Sequence, residues 1–286
     1  MLMPDAMCTF NFTYDNWGAD PSSAPGTVVT PGASNALGSW TQIASSANIA
    51  KECFWVYMLT TGGALAATAK PQLLDIGIDP AGGSSYTAFV ENMQIGMSPA
   101  ITNPGLCEYI FPIRIPAGSS VAVRIRGAAA TAGTVRIAAR FYGDPTNPLA
   151  VPVGAFAETF GANTGTSTGT TFTPGNAADG SWVDLGATVK AMWWWQLGHC
   201  VNNATITAEY TYIEVAWGDA SNKHPMFKVM HVGTTSETCG RAFQTQMLAC
   251  AAYNLVPAGA NIYIRGRCNN APDTGPYNAT VTGFGG

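Results

Sequence analysis

The chain has little charge. Only 10% of its 286 residues are Asp, Glu, Lys or Arg, against about 25% in a typical globular domain. Its exterior must therefore be built from Thr, Ser, Asn, Gly and Ala. A surface of that kind resists association weakly, which suits a subunit of an assembly and also suits a secreted β-protein. Basic residues are the scarcer sign, thirteen Lys and Arg against seventeen Asp and Glu, for a net charge of −4. Nucleic-acid binding relies on clustered cations to neutralise phosphates, so no nucleic-acid partner is expected. The densest group, Arg114, Arg124 and Arg126 with Arg136 and Arg140 nearby, is expected to pair with carboxylates or carbonyls along strands.

Targeting signals are missing too. Met1-Leu2-Met3-Pro4-Asp5 has neither a basic start nor an apolar run, so no signal peptide is predicted. No stretch reaches the ~18 consecutive apolar residues of a membrane-spanning helix. The expectation is synthesis in a cytoplasm with no membrane partner. Seven cysteines, Cys8, Cys53, Cys107, Cys200, Cys239, Cys250 and Cys268, contain no CxxC. Their spacing predicts buried thiols rather than a disulfide framework; one pair among Cys239, Cys250 and Cys268 stays open.

What the chain does have is an internal echo. Trp17-Gly18-Ala19-Asp20, Gly26-Thr27 and Thr30-Pro31-Gly32 return 143 residues later as Phe160-Gly161-Ala162-Asn163, Gly169-Thr170 and Thr173-Pro174-Gly175. Gly38-Ser39-Trp40 returns as Gly180-Ser181-Trp182. Pro116-Ala117-Gly118 followed by Val121, Val123, Arg124 and Arg126 returns as Pro257-Ala258-Gly259, Ile262, Ile264, Arg265 and Arg267. These anchors, in one order, define a tandem duplication of a unit of roughly 125 residues, an ordinary domain size. The predicted organisation is an N-terminal arm (1–16), a first repeat (17–143), a Pro-containing linker (144–158) and a second repeat (159–286).

Within each repeat the apolar pattern has period two. Val121-Ala122-Val123-Arg124-Ile125-Arg126 alternates cleanly, and Glu52–Leu59 and Leu73–Ile78 are short β-branched and aromatic runs bounded by Gly, Pro and Asn. That predicts about seven or eight strands per repeat. The fold class expected is all-β, two tandem β-sandwich domains of jelly-roll type.

No catalytic constellation accompanies the duplication. The three histidines, His199, His224 and His231, all lie in the second half, so an activity older than the duplication could not use one. His224, His231 and Cys239 have no compact metal-ligand spacing. Asp75 and Glu214 align, each between apolar neighbours; one carboxylate per copy is not a glycosidase pair, and both are read as outward-facing strand acids. Neither a Walker loop nor a dinucleotide fingerprint occurs. No enzyme activity, cofactor or metal is expected.

Two aromatic groups remain. Trp193-Trp194-Trp195 places large rings on both faces of a strand, which predicts contact between domains or subunits, with core packing and a sugar platform as the alternatives. Phe10, Phe12 and Tyr14 alternate with polar residues in the arm, so they can pair as a strand on a neighbour or on their own domain.

The two Pro-Ala-Gly turns leading into Φ-x-Φ-Arg-x-Arg (Pro116–Arg126 and Pro257–Arg267), the Gly/Thr-rich openings and the sparse charge resemble virion proteins of tailed bacteriophages. The likeness is to capsid decoration and tail-accessory proteins built from tandem jelly-roll-like sandwiches. It implies a non-enzymatic virion protein, made in a host cytoplasm, that decorates or cements a capsid or forms part of a tail appendage. Its partners would be copies of itself and other virion proteins, engaged through Phe10, Phe12, Tyr14, Trp193, Trp194 and Trp195. The alternative is a carbohydrate- or receptor-binding β-sandwich module.

Overall fold

The computed structural model describes residues 10–17, 26–62, 72–95, 107–127, 134–147, 154–201, 209–233, 255–269 and 277–286. All regular structure in them is β. The first half holds β1 (Phe10–Asp15), β2 (Thr27–Val29), β3 (Thr41–Ala44), β4 (Cys53–Gly62), β5 (Gln72–Asp79), β6 (Thr87–Ile95), β7 (Cys107–Phe111), β8 (Ser120–Gly127) and β9 (Val135–Pro145). The second holds β10 (Phe156–Phe160), β11 (Ala162–Asn163), β12 (Thr168–Phe172), β13 (Gly175–Asn176), β14 (Val183–Ala187), β15 (Trp194–Val201), β16 (Glu209–Gly218), β17 (Lys223–Gly233), β18 (Asn261–Cys268) and β19 (Tyr277–Gly285).

The two halves share one wiring. In the first, β1 and β2 pair with β9, followed by β4 and β7, and a facing sheet runs β3-β8-β5-β6. In the second, β10 and β12 pair with β19, followed by β15, and the facing sheet runs β14-β18-β16-β17. The order β2-β9-β4-β7 facing β3-β8-β5-β6 is that of a jelly roll, and the second half repeats it as far as its described strands go. Alternation fills each interior: Val121, Val123 and Ile125 face Val56, Met58 and Phe141 in one, and Ile262 and Ile264 face Leu197, Ala279 and Val281 in the other.

The anchors recognised in the sequence are close-approach and turn positions. A Cβ on Gly26 would lie 2.5 Å from the carbonyl oxygen of Ile137, and one on Gly169 2.2 Å from that of Ala279, the equivalent point on the last strand of each sheet. Gly118 and Gly259 have φ of +77° and +82° with open space around them. There the demand is on the backbone, which only glycine meets without strain.

The expected boundaries need correcting at both joints. Residues 10–15 are not an arm outside the repeat. β1 pairs with β9 from Phe10↔Pro145 to Asp15↔Arg140, and β10 is its copy on β19. β1 and β2 lie end to end on one edge of β9, so each sandwich has a split outer strand. Asn16 bridges the first split: its side chain donates to Ile137 O and Thr27 Oγ1 (both 3.1 Å) and accepts from Ala139 N (2.7 Å). The stretch 144–158 is likewise not all linker, because β9 continues to Pro145 and β10 starts at Phe156. Proline fits there because a strand end needs no further ladder donor.

The halves dock through unlike surfaces. The terminal strand β6 of the first lies on the outer face of the β10-β19-β15 sheet of the second. Along β19, Tyr277, Ala279 and Val281 point into their own core while Phe284 joins the first domain's cluster; the whole strand is buried. Gln94 is the plug. Its backbone N–H donates to Thr280 Oγ1 (2.9 Å) and its Nε2 to Asn278 O (3.4 Å). A Cβ on Gly198 would fall 2.1 Å from Gln94 O, so this contact requires glycine there.

Candidate functional site

The most organised polar feature occurs once per copy, on the outer face of the sheet that contains β5 or β16. In the first domain Arg124 Nε donates to Asp75 Oδ2 at 2.8 Å, and its guanidinium lies 4.2 Å from the centre of the Trp40 ring. Asp75 Oδ1 also accepts from Asn92 N at 2.7 Å. In the second domain Arg265 Nε donates to Glu214 Oε2 at 2.7 Å, with the guanidinium 4.3 Å from the Trp182 ring centre. Asp179 and Lys228 join that cluster. The register explains the match: Asp75 pairs with Arg124 across β5–β8, and Glu214 with Arg265 across β16–β18.

The outward direction expected for Asp75 and Glu214 fits this geometry, but both are covered rather than solvated. Trp40 and Trp182 lie across the stack; a Cβ on Gly77 would meet the Trp40 ring at 2.7 Å. Each cation–π contact of this kind is worth about 0.5–2 kcal/mol. The arrangement fastens the Gly-Ser-Trp loop to the sheet. Sequence reasoning found all three members separately, two in the anchors and one in the carboxylate alignment, without joining them.

The other arginines behave as the sequence suggested. Arg114 pairs with Glu52 (2.6 Å), Arg140 with Asp15 (3.1 Å), and Arg126 donates to Asn35 O (2.8 Å). His224 stacks on Trp217 with ring centroids 4.5 Å apart. Cys239 and Cys250 lie outside the described residues. Cys53 is buried, and burial with the neighbouring Glu52 charge pushes its thiol up to about 12. Cys268 Sγ donates to Gly175 O.

The tryptophan triplet is divided between the two cores. Trp194 is 2% exposed and meets Trp55 of the first domain edge-on at 5.0 Å. Trp195, also 2% exposed, packs on Phe160 inside the second domain. Trp193 is half-buried against Trp194. A sugar platform on Trp194 or Trp195 is thereby corrected, because neither ring has an open face. Phe10, Phe12 and Tyr14 are half-buried on the first domain's own cluster. Tyr14 stacks on Phe141 at 6.0 Å and Phe10 tilts onto Tyr142 at 5.7 Å.

The expectation from the sequence that no Gly-x-Ser-x-Gly elbow occurs is corrected: Gly165-Thr166-Ser167-Thr168-Gly169 has the spacing. In the fold it is the β11–β12 hairpin, not the strand-to-helix turn of a hydrolase. Ser167 has φ 56° and is fully buried between the domains. Its Oγ donates to Asn35 Oδ1 at 2.9 Å, so it serves the docking surface. A separate open cleft of about 230 Å³ lies between β6 and β10, bordered by Phe89, Glu91, Asn92 and Glu158.

No protein-family model matches the sequence, and no curated protein matches it. Among solved structures the chain is similar to the N-terminal CBM22-1–CBM22-2 tandem domain of Xyn10C from Paenibacillus barcinonensis. The identity is 9% and the TM-score 0.28, over 97% of this chain and 93% of that one. It is also similar to a peptide-N(4)-(N-acetyl-β-D-glucosaminyl)asparagine amidase, at 8% identity and a TM-score of 0.31 over 96% of each chain. A third likeness, to tripeptidyl peptidase 2, has 9% identity and a TM-score of 0.26, over 95% of this chain and 23% of that one. None of the three is a virion protein. Likenesses this distant say nothing of function; the fold rests on the strand order.

Proposed function

We propose that the chain is a non-enzymatic structural subunit of a virion of tailed-phage type. It decorates or cements a capsid or forms part of a tail appendage, and it works through protein–protein contacts. The observation that carries this reading is what duplication kept. The polar group present in both copies is a Trp–Arg–carboxylate stack on a sheet face (Trp40, Arg124 and Asp75; Trp182, Arg265 and Glu214). That stack braces a loop, whereas a binding or catalytic site older than the duplication would have left its groups in a cleft in each copy. The charge-poor exterior supports the same reading, because weak electrostatic repulsion favours packing against neighbours.

The direct test is mass spectrometry of purified particles produced from the genome that encodes this chain. The expected result is the protein present in a fixed, multiple copy number per particle and released only by conditions that strip surface proteins. Its absence from intact particles would overturn the reading.

A further inference from the structure

The duplication allows one surface to be compared with itself in two settings. On the outer face of the first domain Leu73 and Gln94 are cross-strand partners, and both are fully buried. Gln94 presses against the second domain. Arg126 holds Asn35 O, and Asn35 reaches Ser167 of the second domain. The second domain has the same four places. Tyr212 and Met230 are cross-strand partners at the equivalent point, and Arg267 matches Arg126. Ala177 matches Asn35: both have left-handed φ, 50° and 58°, and their N–H groups donate to Cys268 O and Gly127 O at 2.8 Å. Here no described residue lies on top. Tyr212 is 44% and Met230 52% exposed, and Arg267 and Ala177 are exposed as well.

We infer that the Tyr212–Met230 face of the second domain binds the same face of a second copy of this chain, across a twofold axis. Three features select that occupant. First, a head-to-tail repeat of the internal contact is blocked. The surface that would receive Met230 is the outer face of β4 and β9, and there Leu59 stands where the second domain has Gly198, and Arg136 where it has Asn278. The close approach that Gly198 permits has no room for a leucine. Second, the exposed face carries both signs of charge around its apolar pair. Asp179 lies beside the exposed Lys228 and Arg267 in a shallow recess under Tyr212, so the face carries both signs and complements itself when rotated by half a turn, as an isologous contact requires. Third, Pro225 and Lys228 stand on the terminal strand β17, features that discourage strand-to-strand pairing. Contact is therefore face to face, anchored by Tyr and Met, residue types that interfaces favour.

The inference rests on the reading of the chain as an assembling subunit, and its test is separate. Sedimentation equilibrium of the full chain over the micromolar range is expected to show a monomer–dimer equilibrium. Met230→Glu should weaken the dimer about tenfold or more, the loss expected for an interface anchor, with the thermal unfolding transition unchanged at concentrations where both proteins are monomers. As a second measurement, mild oxidation of M230C should give a disulfide-linked dimer that wild type does not form. A monomer at every concentration, a dimer indifferent to M230E, or M230C that fails to cross-link would each overturn the contact. A chain found in particles whose self-association ignores Met230 sinks this inference alone; one that dimerises through Met230 but is missing from particles sinks only the functional reading.

Discussion

Trp55 and Trp194 occupy the same place in the two sandwiches, opposite Tyr142 and Phe284 on the neighbouring strands, and they touch each other. Their ring centroids are 5.0 Å apart with planes at 70°. Equivalent residues of a duplicated unit thus meet at the junction between the copies, and each ring is buried by the other's domain.

Replacing Trp194 with alanine should therefore uncouple the halves. Removal of a buried tryptophan costs about 3–5 kcal/mol, and here the loss falls on the junction. Guanidinium unfolding followed by intrinsic fluorescence should change from one transition to two, the halves no longer stabilising each other. An unshifted, single transition would mean that the junction contributes little.

The two Trp–Arg–carboxylate stacks should respond unequally to the same change. Arg124→Met leaves Asp75, whose side chain is 3% exposed, with no other ion pair among the described residues, and breaking a buried pair this way costs about 3–5 kcal/mol. Arg265→Met leaves Glu214 beside Lys228, 3.8 Å away, so the loss should be smaller. Thermal midpoints of the two variants check the order, and a larger loss for Arg265→Met would contradict the geometry.

Glycine substitutions separate backbone demand from crowding. Gly259→Ala meets no atom within 4 Å but must hold φ +82°, at a cost of about 1–2 kcal/mol; Gly259→Asn should recover part of it, since Asn tolerates that region. Gly198→Ala should be worse, since its Cβ strikes Gln94 O across the junction, and no choice of side chain should rescue it. Urea midpoints for the three variants give the comparison.

Alkali should find a specific weakness in the first domain. Burial and Glu52 raise Cys53 from 9.0 to about 12; burial, then the charge and hydrogen bond of Glu108, raise Tyr57 from 10.0 to about 12. A raised pKa in the folded state means the fold favours the protonated form. That contribution is complete below about pH 9 and is lost as pH climbs towards 12. Stability measured by denaturant titration should fall over that window. Alkylation of Cys53, followed by peptide mass spectrometry, should stay slow at pH 8 until the domain unfolds; rapid labelling in the native protein would contradict its burial.

The sequence made the fold readable because jelly-roll turns are exacting. Gly118, Gly259, Gly26 and Gly169 answer local backbone or close-approach demands, so they survived in both copies at a readable spacing. The direction of alternation in Trp194-Trp195 was equally plain, since it depends only on strand period. The partner of each face was not. Alternating Phe10, Phe12 and Tyr14 suit any free strand edge, and only the long-range pairing with β9 decides that they stay at home. The docking surface was hidden for a different reason. It is written in Gly198, Thr280 and Ser167, small residues whose meaning is room for something else, and no local pattern announces the Gln94 that fills it. The Trp40–Arg124–Asp75 stack joins a loop and two strands far apart in the chain, which a period or a repeat offset does not reveal.

The split outer strand has a bearing on strand-to-strand association in a protein with so little charge. Long, straight, unprotected strand margins are templates for fibrous self-pairing, and ion repulsion, the usual safeguard, is scarce here. Breaking that margin into β1 and β2, and again into β10 and β12 around a hairpin, offers a would-be fibril only short purchase. Protection against amyloid-like growth is thus supplied by interruption of the backbone ladder, and it would be retained at salt concentrations that silence charges.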